Sequence, residues 1–332
     1  MKAIVGRAAH VALPILLLLQ FNKFVYAVTY QYILFGDSLT DTGNVFQESG
    51  IPDPAIYYKG RFTNGPNWVD YLNATLSSKH TVQIFNYAYG AGVACPRYLN
   101  TTKFPYGRDS ANQTATFLAD LARGKILTGK DTRHISISWF AANDMSVGME
   151  QALMGGRSMA AAGAEIVSNL VSCLTQHVAA LAAAGVHEVV LIPQSPVQTS
   201  PLVPPAFRAF VAQLVGSVDV ALVQAVAAVN AQLEAAPPGS PASRAHVYLL
   251  GDSKWMARLL PAIQPPFKYT TGVQCLTNPD AMALTATVRV CDRPNDYAFY
   301  DHLHPTTLYH RWFALNALLP RLQLFRLAPR DV

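Results

Sequence analysis

Three side chains of this sequence can combine into an activated nucleophile, although they stand at opposite ends of the chain. Ser38 follows a glycine and an aspartate, and Asp301 lies three residues before His304. A serine hydroxyl is a poor nucleophile until an imidazole removes its proton, and the imidazole needs a carboxylate to fix its tautomer and stabilise its charged form. Asp301 and His304 can supply both from one turn, so the chemistry to expect is acyl transfer through a serine.

Each of these features also has an ordinary structural explanation. Asp and Ser cap helices and Gly permits positive φ, so the segment around Ser38, taken alone, is more often a turn or a cap than a catalytic site. His302 is a competing base, and we set it aside because only His304 has the Asp-x-x-His-Pro spacing. The combination of the two ends favours the catalytic interpretation.

Predicted strands end directly before the residues that this chemistry needs. The apolar run 30–35 stops just before Ser38, the run 82–88 precedes a stretch of small residues, and the run 134–140 precedes Asn143. In open α/β sheets, ligands bind just beyond the carboxyl ends of the strands. We therefore expect these three segments to meet at one edge of a parallel sheet.

The rest of the chain continues the alternation of strands and helices. Further strands are predicted over 188–193 and 247–250, and long helices over 158–184 and 207–233. The 332 residues are 51% hydrophobic and 14% charged, which is enough to bury a sizeable core. Alternation over five units predicts a three-layer α/β/α fold with a five-stranded parallel sheet, as a single domain over 28–332.

Four separated blocks, in this order, resemble the SGNH/GDSL hydrolases, a family of serine esterases and lipases. They are Phe35 to Asn44, Asn86 to Gly92, Ala141 to Asp144, and Asp301 to Thr306. The resemblance covers nearly the whole of the chain after its first residues. It implies a flavodoxin-like strand order, 2-1-3-4-5.

The resemblance also implies a role for each block. Ser38 would be the nucleophile, His304 the general base, and Asp301 the residue that orients and stabilises the imidazole. The backbone N–H groups of Ser38 and Gly90 and the side-chain amide of Asn143 would form the oxyanion hole. No cofactor and no metal ion are implied, because these groups suffice for ester hydrolysis.

Ala141 is the one departure from the family pattern, because the family usually has glycine there. If that position needs a positive φ, Ala141 is strained and the aim of Asn143 is affected. The same departure motivates a second hypothesis, a non-catalytic secreted binding protein built on a hydrolase fold. The intact residues at the four catalytic positions argue against it.

The first residues resemble a secretory signal rather than part of the fold. Lys2 and Arg7 precede an apolar run over 11–19, and small residues at 25 and 27 suit a signal peptidase, so 1–27 is predicted to be a signal peptide. An uncleaved anchor is the alternative, although the apolar run is short for a membrane span. Without the three basic residues of this segment, the formal charge falls from +5 to +2. No basic cluster remains that would indicate nucleic-acid binding.

In an extracellular protein, the cysteines and sequons of this sequence predict disulfides and glycosylation. An even number of cysteines favours disulfides, and we expect Cys275 with Cys291, which encloses a short polar loop before the catalytic turn. Cys95 with Cys173 then follows by elimination, while the sequence alone leaves the connectivity open. The cysteine and histidine spacing does not suggest a metal site. Three sequons, at Asn73, Asn100 and Asn112, predict surface glycosylation.

An aromatic loop precedes the turn Arg61-Phe62-Thr63-Asn64-Gly65. Its residues Tyr57 and Tyr58, together with Phe62, either line an acyl or sugar pocket or simply pack beneath the loop, and the second explanation is at least as good. The turn and the helix after it are similar to those of the carbohydrate-esterase and plant-like branches of the family. That similarity strengthens the family assignment.

The resemblance predicts an ester substrate but leaves its class open. The preferred expectation is a secreted acetylesterase that deacetylates plant cell-wall oligosaccharides. The alternatives within the family are a lipase, a phospholipase or an acyltransferase that uses longer acyl chains. An α/β-hydrolase is disfavoured because no Gly-x-Ser-x-Gly elbow occurs, and a metalloesterase because no His-Glu-x-x-His occurs.

Overall fold

The computed structural model describes residues 28–263, 266–277 and 288–332. The predicted signal peptide, residues 1–27, lies outside the described residues. From Thr29 onward, strands alternate with helices, as the apolar periodicity predicts.

Five strands form one parallel sheet in the order β2-β1-β3-β4-β5. This confirms both the fold class and the strand order that the family resemblance implied. Strand β1 lies between β2 and β3, where both of its edges are paired. The strands are β1 (Thr29–Gly36), β2 (Val82–Asn86), β3 (Thr132–Trp139), β4 (Glu188–Leu191) and β5 (His246–Leu249).

Helices cover both faces of the sheet. Along the interior strand β1, Ile33 and Phe35 pack into one hydrophobic cluster, whereas Tyr32 and Leu34 pack into the other. Because successive side chains of a strand point to opposite faces, an uninterrupted apolar run is what a strand buried on both faces requires. The helices are α1 (Asn44–Ser49), α2 (Trp68–Leu76), α3 (Ser110–Ala122), α4 (Ala142–Met154), α5 (Met159–Ala183), α6 (Arg208–Glu234), α7 (Ser253–Ala262), α8 (Thr307–Trp312) and α9 (Leu319–Leu324), with a π-helical segment (Phe313–Leu318) between the last two.

The two layers use different helices. Helices α3 to α6 contribute to the cluster that contains Phe35, through residues such as Phe117 and Leu170. Helices α2 and α7 and the C-terminal helices contribute to the other, through residues such as Trp68 and Phe313. Helices α5 and α6 are long and apolar enough to cross a membrane by length and composition, but they pack on each other and on the sheet.

A small parallel sheet lies outside the main one. Strands β6 (Tyr269–Gln274) and β7 (Tyr297–Phe299) pair in a stretch whose polar, proline-containing sequence did not predict strands. The disulfide Cys275–Cys291 joins the two sides of this stretch, and its cysteines belong with Tyr57 and Tyr300 to a third hydrophobic cluster. This cluster lies next to the segment that carries Asp301.

Both expected disulfides are present. Cys275–Cys291 has a Cα–Cα distance of 5.1 Å and Cys95–Cys173 one of 5.4 Å, within the normal range for a disulfide. The second bond joins the segment after β2 to helix α5. It therefore anchors one of the loops that surround the end of β1.

A glutamine side chain fixes the carboxyl end of β1. The buried amide of Gln113, on helix α3, accepts a hydrogen bond from the Gly36 N–H at 2.9 Å and donates one to the Gly36 carbonyl at 2.8 Å. The Gly36 carbonyl also accepts the Tyr89 N–H at 3.2 Å, so the side chain of Gln113 supplies the partner of the Gly36 N–H and a second donor to the carbonyl. The position of Ser38, two residues later, depends on this anchor.

Replacing Gln113 by leucine should lower the free energy of unfolding by about 2 kcal/mol, because the Gly36 N–H is then buried without an acceptor. Denaturant unfolding measures the loss. Thr116→Val, at an exposed position of the same helix, is the matched control and should change stability by less than about 0.5 kcal/mol. Equal, small effects of both substitutions would contradict the anchoring role.

Candidate active site

Ser38 lies in a tight turn directly after β1. The Asp37 carbonyl accepts hydrogen bonds from the N–H groups of Thr40, at 3.0 Å, and Asp41, at 2.9 Å, and Asp37 Oδ1 accepts one from Leu39. Burial raises the pKa of Asp37 to about 6. The turn leaves the Ser38 side chain 8% exposed at the carboxyl edge of the sheet.

The opposite end of the chain forms a turn of its own around a buried carboxylate. Asp301 Oδ1 accepts hydrogen bonds from the backbone N–H groups of Leu303, at 2.8 Å, and His304, at 2.7 Å. An aspartate that bonds to the N–H groups two and three residues later makes an Asx-type turn. This turn is what lets Asp301 and His304, three apart in sequence, face each other.

The structure brings the two ends together. His304 Nε2 lies 2.8 Å from Ser38 Oγ, across 266 residues of sequence, and His304 Nδ1 lies 2.7 Å from Asp301 Oδ2. Burial alone would raise the pKa of Asp301, but the charge of His304 and the hydrogen bond from it lower that pKa well below its usual value. The carboxylate therefore stays ionised and can stabilise an imidazolium.

His302 occupies a different position. It lines the same cleft as Ser38, and its carbonyl accepts a hydrogen bond from the Leu202 N–H at 2.8 Å. The imidazole that bonds to the serine hydroxyl is that of His304.

The Arg-Phe-x-Asn-Gly turn holds the histidine segment in place. Thr63 Oγ1 donates to the Pro305 carbonyl at 2.8 Å, and Asn64 Oδ1 accepts from the Thr307 N–H at 2.8 Å. Arg61 pairs with Asp70 of helix α2 at 2.7 Å. The polar groups of this turn are thus used inside the protein, so the turn gives no information about a sugar substrate.

Gly90 does not supply the oxyanion donor that the resemblance implied. Its N–H donates to Asp41 Oδ2 at 2.8 Å, so that hydrogen is already used within the protein. A Cβ at this position would collide with the ring of Phe62, which lies against His304 with the ring centroids 5.2 Å apart. A glycine is therefore required here for close packing.

The next residue is placed as the donor instead. Ala91 has a φ of +58° and lines the cleft together with Ser38, Asn143 and His304. Within the described part of the chain, neither the Ala91 N–H nor the Ser38 N–H donates to a protein acceptor. The Gly90 N–H is thus used by Asp41, whereas the N–H of the next residue, Ala91, is available to a ligand.

Asn143 lies in the first turn of α4. One of its side-chain amide hydrogens is bonded within the protein, and the other is available to a ligand. Its Nδ2 donates to the Gly92 carbonyl at 2.8 Å, which fixes the orientation of the amide. Because a primary amide carries two hydrogens, the second can serve an oxyanion. The neighbouring Asp144 is buried and accepts the N–H groups of Ala94 and Cys95, both at 2.9 Å.

The helix that carries Asn143 begins at a strained residue. Ala141 has φ +119° and ψ −29°, a conformation that a Cβ disfavours. The backbone at Ala141 thus has the positive φ at which the sequence analysis expected an alanine to be strained.

Two adjoining depressions open at this edge of the sheet, and one of them is lined by Ser38. The cleft, lined by Ser38 and His304, also carries the polar side chains of Lys103 and Glu150. The apolar groove, about 350 Å³ in volume, lies between α4 and α6 and is lined by Met149, Leu202, Phe207, Phe210, Val211 and Leu214. Cleft and groove share Asn143, so the groove opens directly beside the oxyanion donors.

The sequence analysis missed several residues that build the site. Ala91, Gln113 and Asp41 had no assigned role, and Tyr57 was left between lining a pocket and packing beneath its loop. Tyr57 donates its phenol hydrogen to Asp301 Oδ2 at 2.7 Å. No spacing rule marks such residues, because their partners are 40 or more residues away in sequence. Among the described residues, no group of three or more His, Cys, Asp or Glu side chains could hold a metal ion.

Comparison with known proteins shows the family of this chain. Residues 32–316 match the family described as GDSL-like Lipase/Acylhydrolase. A phosphatidylcholine-sterol acyltransferase of Aeromonas hydrophila is 45% identical over 42 residues, and a thermolabile hemolysin of Vibrio parahaemolyticus is 32% identical over 72 residues. These matches cover 12% and 21% of this chain and only 12% and 16% of the two relatives.

Two solved structures align with most of this chain at low sequence identity. An acetyl xylan esterase from Geobacillus stearothermophilus aligns with a TM-score of 0.45 and 12% identity, covering 90% of this chain and 96% of its own. A phospholipase A1 from Streptomyces albidoflavus aligns with a TM-score of 0.43 and 13% identity, covering 89% and 98%.

Replacing Ala141 by glycine should remove the strain at the start of α4. We expect the free energy of unfolding to rise by about 1 kcal/mol, since a left-handed alanine costs about 1–3 kcal/mol and glycine loses part of that gain through its unfolded-state entropy. Ala152→Gly, a buried site inside the same helix, is the control and should lose about 1 kcal/mol. If Ala141→Gly and Ala152→Gly lowered the free energy of unfolding by similar amounts, the claim that Ala141 is strained would be contradicted.

Proposed function

The chain belongs to the GDSL-like lipase/acylhydrolase family, and from the geometry of its site we propose that it is a serine ester hydrolase. The observation that carries the proposal is the continuous hydrogen-bonded chain from Ser38 through His304 to Asp301. Each bond is between 2.7 and 2.8 Å, which is short enough for proton transfer without rearrangement.

The steps follow from these positions. His304 Nε2 takes the hydroxyl proton as Ser38 Oγ attacks the ester carbonyl, and the oxyanion receives hydrogen bonds from the N–H groups of Ser38 and Ala91 and from Asn143 Nδ2. The tetrahedral intermediate collapses, the alcohol leaves with the proton from His304, and an acyl-serine remains. A water molecule, deprotonated by the same imidazole, then hydrolyses the acyl-serine. Asp301 stays ionised throughout and stabilises the imidazolium.

A fluorophosphonate probe tests the nucleophile and the base. Wild-type protein should be labelled on Ser38, and Ser38→Ala should stay unlabelled and lose at least about 10⁴-fold in kcat. His304→Ala should lose a similar factor, whereas His302→Ala, the matched control, should lose less than about tenfold. Full turnover by His304→Ala together with loss in His302→Ala would overturn the assignment. An unlabelled wild-type protein would support the non-catalytic binding protein instead.

The apolar groove favours a substrate with a longer acyl chain. Most of its lining side chains are apolar, Met149 and Val211 among them, and its polar side chains are Asn143, Ser146 and Glu150. Leu153, Leu202 and Phe207 at its rim stay 57%, 41% and 43% exposed. A contiguous exposed apolar surface of this kind typically marks a binding site for an apolar ligand. We therefore propose that the acyl chain lies in the groove.

The cleft on the other side of Ser38 suits a polar alcohol group. Lys103 and Glu150 offer charges of both signs there, and Tyr106 offers a hydroxyl. An ester with an apolar acyl chain and a polar head would place each part against matching surface. The family alternatives of lipase and phospholipase fit this division, as does an acyltransferase, in which an acceptor alcohol replaces the water.

Deacetylation of carbohydrate is the second candidate, and one observation favours it. A smaller cavity of about 40 Å³, lined by Leu39, Pro196 and Phe299, lies directly beside Ser38 and is more enclosed than the groove. That volume suits an acetyl methyl group. On this alternative the groove would not contact the acyl group at all.

A series of p-nitrophenyl esters from acetate to hexadecanoate separates the two candidates. We expect kcat/KM to increase to octanoate or beyond, because each buried methylene contributes about 0.8 kcal/mol. Val211→Trp should fill the groove and lower the octanoate-to-acetate ratio by about tenfold or more. Val220→Trp, on the same helix but exposed to solvent, should leave the ratio unchanged. A maximum at acetate, unaffected by Val211→Trp, would contradict the groove and support deacetylation.

We also propose that the protein is secreted and glycosylated. The proposal is supported by the signal-like segment 1–27, by the two disulfides and by the exposure of Asn112. Asn73 and Asn100 are partly exposed. Asn100 also lines the cleft, so a glycan there would lie at its entrance. N-terminal sequencing and glycosidase treatment of the secreted protein test these points.

A further inference from the structure

We propose that Tyr57 is a positioning residue of the active site, whose phenol holds Asp301 and shares the charge that faces His304. The Tyr57 hydroxyl donates to Asp301 Oδ2 at 2.7 Å, and the same oxygen lies 2.7 Å from His304 Nδ1. Two donors thus meet at one carboxylate oxygen. The inference rests on the proposed ester hydrolysis, because it concerns how the base of that reaction is kept ready.

The direction of the hydrogen bond follows from the environment. Asp301 is fully buried, and its pKa is held below the usual range, so it is an acceptor only. Burial and the neighbouring carboxylate raise the pKa of Tyr57 well above that of a free phenol. The phenol therefore remains protonated at any working pH and donates its hydrogen to the carboxylate.

Tyr57 is itself rigidly held. Its backbone N–H donates to the Asp53 carbonyl at 2.8 Å, and its side chain is 1% exposed. The ring packs edge-to-face on Tyr300, with the centroids 5.4 Å apart, in the cluster that contains the Cys275–Cys291 disulfide. Tyr300 in turn donates to the Ile56 carbonyl at 2.6 Å. The phenol has no room to turn away from Asp301.

A second donor on Oδ2 changes what His304 experiences. With the phenol in place, Oδ2 accepts two hydrogen bonds, and an imidazolium at His304 is stabilised less strongly than by an unshared oxygen. Tyr57 and His304 therefore share one carboxylate oxygen, and removing the phenol should leave that oxygen to His304 alone. The other titratable groups that face this pair are Tyr300, His302, Asp37 and His310.

The pH profile of ester hydrolysis by Tyr57→Phe tests the proposal. Loss of the phenol hydrogen should move the acidic limb of kcat/KM to higher pH by roughly half to one unit. The plateau at high pH should fall by about three- to tenfold, since Asp301 loses one of the contacts that orient it. Tyr300→Phe is the matched control, because the hydroxyl that it removes from the same cluster donates to the Ile56 carbonyl and not to Asp301. Its acidic limb should stay at the wild-type position.

A variant of opposite sign protects the test against a folding defect in Tyr57→Phe. Site-specific 3-fluorotyrosine at position 57 has a more acidic phenol and is a stronger donor, so the acidic limb should move to lower pH. If the acidic limb of kcat/KM stayed at its wild-type pH in both Tyr57→Phe and the 3-fluorotyrosine variant, the proposal would be overturned. Equal shifts in Tyr57→Phe and Tyr300→Phe would also overturn it, because the cluster rather than the hydrogen bond would then be responsible.

Proton NMR separates this proposal from the proposed function. The proton between His304 Nδ1 and Asp301 should give a strongly downfield signal in the wild-type protein, whether or not any ester is hydrolysed. Tyr57→Phe should move that signal, and Tyr300→Phe should leave it in place. A protein without esterase activity that shows this pattern would refute the function alone, whereas an unmoved signal in Tyr57→Phe would refute the role of Tyr57.

Discussion

A charged carboxylate that has no access to water is the constraint around which this molecule is built. An isolated buried charge would cost many kcal/mol, so Asp301 has to be saturated with hydrogen-bond donors. Two come from the backbone of its own turn, one from His304, and one from Tyr57, 244 residues earlier in the chain. These hydrogen bonds to Asp301 therefore fix the position of the His304 imidazole. They also connect the C-terminal part of the chain to its N-terminal part.

The same principle connects the loops around the nucleophile. Asp41 accepts the N–H groups of Gly43, Asn44 and Gly90, and so joins the turn after β1 to the loop after β2. Asp144 joins that loop to helix α4 in the same way. Many polar residues of the four sequence blocks thus have structural bonds, which hold the few reacting groups at fixed distances from one another. Oxyanion stabilisation depends on such preorganisation.

Sequence patterns predicted the parts of this structure that follow from local physics. The apolar run of β1 and the helical periodicity of α5 and α6 are visible in the chain itself, and the four blocks gave the strand order through their resemblance to a family. The prediction that Gly90 is an oxyanion donor was wrong, because its N–H already donates to Asp41. Only the three-dimensional structure shows that contact. Tyr57 was left between two explanations for the same reason. The groove between α4 and α6 depends on how two distant helices pack, and no spacing encodes it.

The most direct test is a crystal structure of the protein after reaction with a fluorophosphonate. Phosphorus bonded to Ser38 Oγ is expected, with the phosphoryl oxygen about 3 Å from the N–H groups of Ser38 and Ala91 and from Asn143 Nδ2. The Gly90 N–H should remain on Asp41. A phosphoryl oxygen bonded to Gly90 instead, or an adduct on another residue, would contradict the arrangement described for this site.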